Sequence, residues 1–134
     1  MGTSYKGGSP TFRTITENVS SLKNKFPVRN GYFGTEGQGR SFTRNITSID
    51  PKKTAKEFYD QATYGGIEEP VIEKKTGNII GKKTRLADGS VISWRENSKS
   101  DGTSVVEINI ERSFDSGGIK KQKIHFIEGG NFNV

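Results

Sequence analysis

The chain has 134 residues, with 21 Lys and Arg against 15 Asp and Glu, a formal charge of +6 and no cysteine. That length suits one domain with a modest core, and the lack of thiols excludes disulfides and thiolate metal sites. No apolar run approaches the ~20 residues that span a bilayer, and the cation surplus favours a polyanionic partner such as nucleic acid or an anionic membrane surface, beside the plain alternative of a domain that is simply basic.

The polar opening "MGTSYKGGSP" predicts a disordered linker over residues 1–11, leaving 12–134 as a single folded domain. No signal peptide is visible, so export would be directed from another part of a longer polypeptide. In "TITENVSSLKNKF", residues 14–26, Ile15, Val19, Leu22 and Phe26 recur at helical spacing, and Pro27 ends the run. Residues 29–45, "RNGYFGTEGQGRSFTRN", are rich in glycine and cations and read as a long irregular loop. Within it Tyr32, Phe33 and Phe42 offer stacking surfaces for RNA among Arg29, Arg40 and Arg44, although such aromatics more often anchor a core. "GTEGQGR" follows no strand and lacks the Lys-Ser/Thr ending of a phosphate loop.

The next segment carries the clearest helix signal. Asp50 is a suitable N-cap, Pro51 fits the first helical position, and Gly65 or Gly66 supplies the stop. Ala55, Phe58, Tyr59 and Ala62 form its apolar stripe. Everything beyond reads as β, with turns at "TGN", Asp88-Gly89 and Asp101-Gly102. Helices followed by an antiparallel meander predict an α+β domain, the N-terminal helices packed on one face of a four- or five-stranded antiparallel sheet.

Side chains alternate along a strand, so parity sorts the faces. Even positions give Ile92, Trp94, Val106, Ile108, Ile110, Gln122, Ile124 and Phe126; odd positions give Ser93, Arg95, Glu107, Asn109, Lys121, Lys123 and His125. In the simplest hairpin register, Arg95 and Glu107 come abreast of Lys123 or His125, the only histidine in the chain. An imidazole, a carboxylate and cations on one surface suit metal-free cleavage of RNA. His125 and Glu107 would exchange protons with the 2′-hydroxyl and the departing 5′-oxygen, while Arg95 and Lys123 hold the phosphate. DNA lacks that hydroxyl. The common alternative for such a face is a set of solvated cross-strand pairs, with an incidental histidine. One His and scattered acids give no metal-ligand spacing, and no strand–turn–helix elbow suggests a serine hydrolase.

The blocks "TAKEFYDQATYGG", "ADGSVISWRENSKSDG" and "QKIHF", within a similarity from Asn30 to Glu128, resemble C-terminal ribonuclease toxin domains of bacterial polymorphic toxins, of the LXG and contact-dependent kinds. The resemblance implies the barnase–EndoU–colicin–RelE-like group, with its site on the open sheet face and no cofactor. It implies roles for Arg95, Ser98, Ser100 and His125, with Lys123 nearby; Thr84 and Asp101 match less well, and Lys121 joins Arg40, Arg44 and Thr84 as RNA contacts. Asp101 could equally just build the turn with Gly102. The resemblance further implies delivery as part of a larger secreted toxin, action on RNA (tRNA among the options) in a target bacterial cytoplasm, and an acidic cognate immunity protein. A non-catalytic nucleic-acid-binding module and a metal-dependent DNase toxin stand as alternatives.

Overall fold

The structure, a computed structural model, describes residues 4–5, 13–39, 42–98 and 101–129. Helix α1 spans Ile15–Lys25 and helix α2 spans Pro51–Ala62. Thr14 opens α1 with a capping box: its hydroxyl accepts from Glu17 N–H, and the Glu17 carboxylate accepts from Thr14 N–H at 2.9 Å. Asp50 caps α2 by accepting from Lys53 N–H at 3.4 Å, with Pro51 at the first position, where its missing N–H costs nothing. Gly65, at φ +79°, lies in the turn that follows.

The strands, numbered in chain order, are β1 (Ser4–Tyr5), β2 (Val28–Arg29), β3 (Tyr32–Phe33), β4 (Thr35–Glu36), β5 (Thr43–Ser48), β6 (Ile67–Ile72), β7 (Ile79–Arg85), β8 (Val91–Arg95), β9 (Ser104–Asn109) and β10 (Gln122–Glu128). The expected antiparallel meander is β6 to β10. It is extended at one edge by β1 and at the other by β5, which runs parallel to β10, and then β4. The fold is α+β, two helices on a mostly antiparallel sheet. Of the segment 1–11 read as a linker, only Ser4–Tyr5 is described, paired with Ile67 and Glu68.

Residues 29–45 are not one long loop. They hold the β2–β3 hairpin, β4 and the start of β5. The anchor is Gln122, whose amide is 1% exposed: Oε1 accepts from Phe33 N–H at 2.8 Å, and Nε2 donates to Gly31 and Lys120 carbonyls at 2.9 and 2.8 Å. A fully bonded amide stands on the apolar face here because it meets the backbone needs of an irregular segment.

The helices cover the even face. Ile15, Val19 and Leu22 from α1 and Ala55, Phe58, Tyr59 and Ala62 from α2 are buried against Ile92, Val106, Ile108, Ile124 and Phe126. The Phe58 ring lies 5.4, 5.0 and 5.6 Å from those of Phe26, Phe33 and Phe126, contacts that add about 0.5–1.5 kcal/mol each beyond area burial. Thr84 also lies on this face, fully buried, 2.6 Å from the Tyr59 hydroxyl, which itself donates to Glu68 at 2.9 Å. Burial holds the Tyr59 phenol above its ordinary range, so it stays a neutral donor. Thr84 is therefore a core residue and cannot touch RNA.

Candidate active site

No described helix covers the odd face. Its side chains fall into rows across the sheet. One row runs Glu69, Lys83, Ser93, Glu107, Lys123 and Thr43. The next contains Arg95, Val105, His125, Asn45 and Thr35. The expected register thus needs a correction. Arg95 faces Val105, not Glu107, because the β8–β9 loop closes between Ser98 and Thr103 and shifts the pairing by one pleat. Glu107 faces Lys123 directly and is diagonal to both Arg95 and His125, at the ~7–8 Å typical of such neighbours. Arg95 and His125 share a row with Val105 between them, two strand spacings or ~10 Å apart in the backbone.

A hollow of about 240 Å³ opens on this face, lined by Lys83, Ser93, Arg95, Glu107, Lys121 and Lys123, with Phe42 also at its wall. Arg95, Glu107 and Lys123 form no ion pair with any described residue. Lys121 pairs with Glu111 at 3.2 Å and lies 5.8 Å from the Phe42 ring centre. Around this anion-sized space two cations outweigh the one carboxylate that faces Lys123, and none of the three closes an ion pair with a described residue, unlike the laced pairs of an ordinary solvated face.

His125 is outside the hollow, one pleat along β10 from Lys123, and its side chain is 10% exposed. The β8–β9 loop holds it. Asp101 Oδ1 accepts from Ser98 Oγ and Thr103 Oγ1, both at 2.7 Å, and from Thr103 N–H at 3.1 Å. Thr103 Oγ1 lies 2.8 Å from His125 Nδ1, and Asp101 Oδ2 lies 3.4 Å from the same nitrogen. With the Thr103 proton given to Asp101, its oxygen accepts from Nδ1–H, and the neutral ring keeps its lone pair on Nε2, which bonds no described residue. The Ser98 hydrogen bond, reinforced by Thr103, holds the Asp101 carboxyl down at about 2, so it stays ionised beside the ring.

The sequence-derived candidates separate accordingly. Arg95, Glu107, Lys121 and Lys123 meet at the hollow. His125 and Ser98 join Asp101 in the loop cluster, where Ser98 donates to Asp101. Arg44 is committed elsewhere: Nε and one Nη donate at 3.0 Å to the carbonyls of Phe33 and Gly34, and its guanidinium lies 5.0 Å from the Tyr32 ring centre. It fastens β5 to the β3–β4 segment and is withdrawn as an RNA contact. Arg40 and Ser100 lie outside the described residues.

Thr103 escaped the sequence reading. Its signal was the "SxxDGT" pattern, in which Ser, Asp and Thr hydroxyl and carboxylate groups satisfy a tight loop and can present a hydroxyl beyond it. Lys83 and Ser93 also line the hollow; applying parity to β7 would have found Lys83. No group of three or more His, Asp or Glu side chains among the described residues could hold a metal ion, and no described helix is long and apolar enough to cross a membrane. The chain matches no protein-family model, and comparison with curated proteins and with solved structures finds no relative.

Proposed function

We propose that the open sheet face binds RNA and cleaves it by metal-independent transesterification, as the toxin domain of a delivered antibacterial protein that an acidic immunity partner neutralises. The observation that carries this reading is the hollow bearing Arg95, Lys123 and Glu107, none in an ion pair with a described residue, one pleat from an imidazole whose Nδ1 is held by Thr103. Arg95 and Lys123 hold the non-bridging oxygens of one phosphodiester, the guanidinium with two parallel hydrogen bonds. Glu107 takes the 2′-hydroxyl proton as O2′ bonds to phosphorus. The P–O5′ bond breaks, and protonated His125 delivers its Nε2 proton to O5′. Thr103, itself donating to Asp101, accepts from Nδ1–H of the protonated ring and holds it in the orientation that this transfer needs. The toxin setting and the immunity partner rest on the family resemblance.

The test is cleavage of total RNA in EDTA by the wild type and by His125→Ala, Glu107→Gln and Arg95→Ala, alongside growth inhibition on expression. Loss of both activities in each variant is expected; undiminished cleavage by His125→Ala overturns the mechanism. A second reading, a nucleic-acid-binding module without chemistry, draws on Val105 standing between Arg95 and His125 and on the position of His125 outside the hollow. In that case tRNA in EDTA shifts on a gel without shortening.

A further inference from the structure

A second hollow, about 360 Å³, adjoins the first on the same face and shares Lys83 and Val91 with it. Its cations are Lys83, Arg85 and Arg112, and its one carboxylate is Glu69, which lies 3.5 Å from Lys83. Arg85 and Arg112 form no ion pair with any described residue. Across both hollows the cations are Lys83, Arg85, Arg95, Arg112, Lys121 and Lys123, against Glu69 and Glu107 alone.

Arg112 is on a loop, yet its backbone is fixed. Asp88, fully buried, accepts from Ile15 N–H and Ser90 Oγ at 3.0 Å each and from Ser113 Oγ through its other oxygen. The Asp88 carbonyl accepts from Phe114 N–H at 2.9 Å. Gly89, at φ +97°, lies so close to this loop that a Cβ would stand 2.2 Å from the Arg112 carbonyl oxygen. The Asp88-Gly89 turn therefore grips the two residues that follow Arg112 and abuts its carbonyl, and the Arg112 side chain is left exposed in the hollow it shares with Arg85. A rigid base under a free guanidinium is how a phosphate contact is prepared without a large ordering cost.

The geometry points to a second phosphate subsite formed by Arg85 and Arg112, making the ligand of this face a single nucleic-acid strand several nucleotides long. This rests on the reading of the face as an RNA site and extends it. Arg85 pairs with Val91, and Arg95 lies four residues further along β8, ~13 Å away at 3.3 Å per residue. One phosphodiester cannot span both positions, whereas successive phosphates of one strand can. Lys83, between them in the register, links the two hollows. At the far wall of the first hollow Phe42 offers a stacking surface of the kind single strands use.

The experiment measures binding, with a probe that chemistry cannot consume: a fluorescent single strand of about 12 nucleotides lacking 2′-hydroxyls, and the corresponding dinucleotide, titrated from about 50 to about 200 mM salt. Wild type and Arg85→Ala/Arg112→Ala are compared after thermal melts establish that both fold. Each neutralised phosphate contributes ~0.7 to the slope of log K against log salt for single strands, so the double variant, which empties one subsite, loses about 0.7 of slope on the long probe. Its affinity for the dinucleotide is unchanged. An unchanged slope, or an equal loss on both probes, overturns the subsite. Strand binding that depends on both arginines, in a protein that cuts no RNA, instead sinks the cleavage reading and leaves the subsite standing.

Discussion

Thr103 Oγ1 lies 2.8 Å from His125 Nδ1, and the same oxygen donates to Asp101 Oδ1 at 2.7 Å. The hydroxyl thus couples the imidazole to a carboxylate supplied by the loop between β8 and β9. Replacing Thr103 with Val keeps the shape and removes the link. On the proposed mechanism, kcat for RNA cleavage falls about tenfold, equivalent to 1.36 kcal/mol, with KM unchanged. Thr103→Ser restores it. A change in KM alone, or failure of Ser to rescue, removes Thr103 from the role of positioning residue.

The Asp101 carboxyl titrates at about 2 in the folded chain against an ordinary 3.8, chiefly because Ser98 donates to it. A depressed carboxylate contributes stability that is fully present above the unfolded value and disappears as pH falls through the folded one. Between about pH 4 and pH 2 the wild type therefore loses more stability than Asp101→Asn does. The side chain is 50% exposed, so solvent screening keeps the difference small. Urea midpoints across that range read it directly; parallel curves for the two proteins contradict the assignment.

Gln122 satisfies three backbone groups from inside the core. Gln122→Leu leaves Phe33 N–H and the carbonyls of Gly31 and Lys120 without these partners, at a cost of about 2–3 kcal/mol in unfolding free energy. Loss of hydrogen-exchange protection at the Phe33 amide should be the largest local change. A variant as stable as the wild type would mean that water replaces the amide.

Phe58 is fully buried and touches three other phenylalanine rings. Phe58→Ala is expected to cost about 3–5 kcal/mol. The denaturant slope should stay unchanged, since the variant exposes nearly the same surface on unfolding.

Much of this fold was legible in the chain. Period-3.6 spacing located the buried faces of α1 and α2, the Asp50-Pro51 pair marked the start of α2, and period-2 alternation sorted Ile92, Val106, Ile108 and Ile124 from Arg95, Glu107 and Lys123. What stayed hidden depended on partners far along the sequence. β5, "TRNITS", has only Ile46 buried, so it carries no hydrophobic rhythm; it is a strand because β10 lies beside it. Gln122 looks out of place until the backbone of the β2–β3 hairpin arrives to use it. The register error at Arg95 had a similar source. Loop closure at Ser98 and Thr103 decides the pairing, through side-chain bonds that no alternation pattern records.

β10 joins the two halves of the chain, antiparallel to β9 and parallel to β5, and it also brings Lys123 and His125. During synthesis, at roughly 5–20 residues per second, the ribosome releases both neighbours of this strand well before the strand itself. Each must wait with an unpaired edge, and a chain that stops short of this strand owns neither Lys123 nor His125. Whatever this surface does, it comes into being only when residues 122–128 slide into place between β5 and β9.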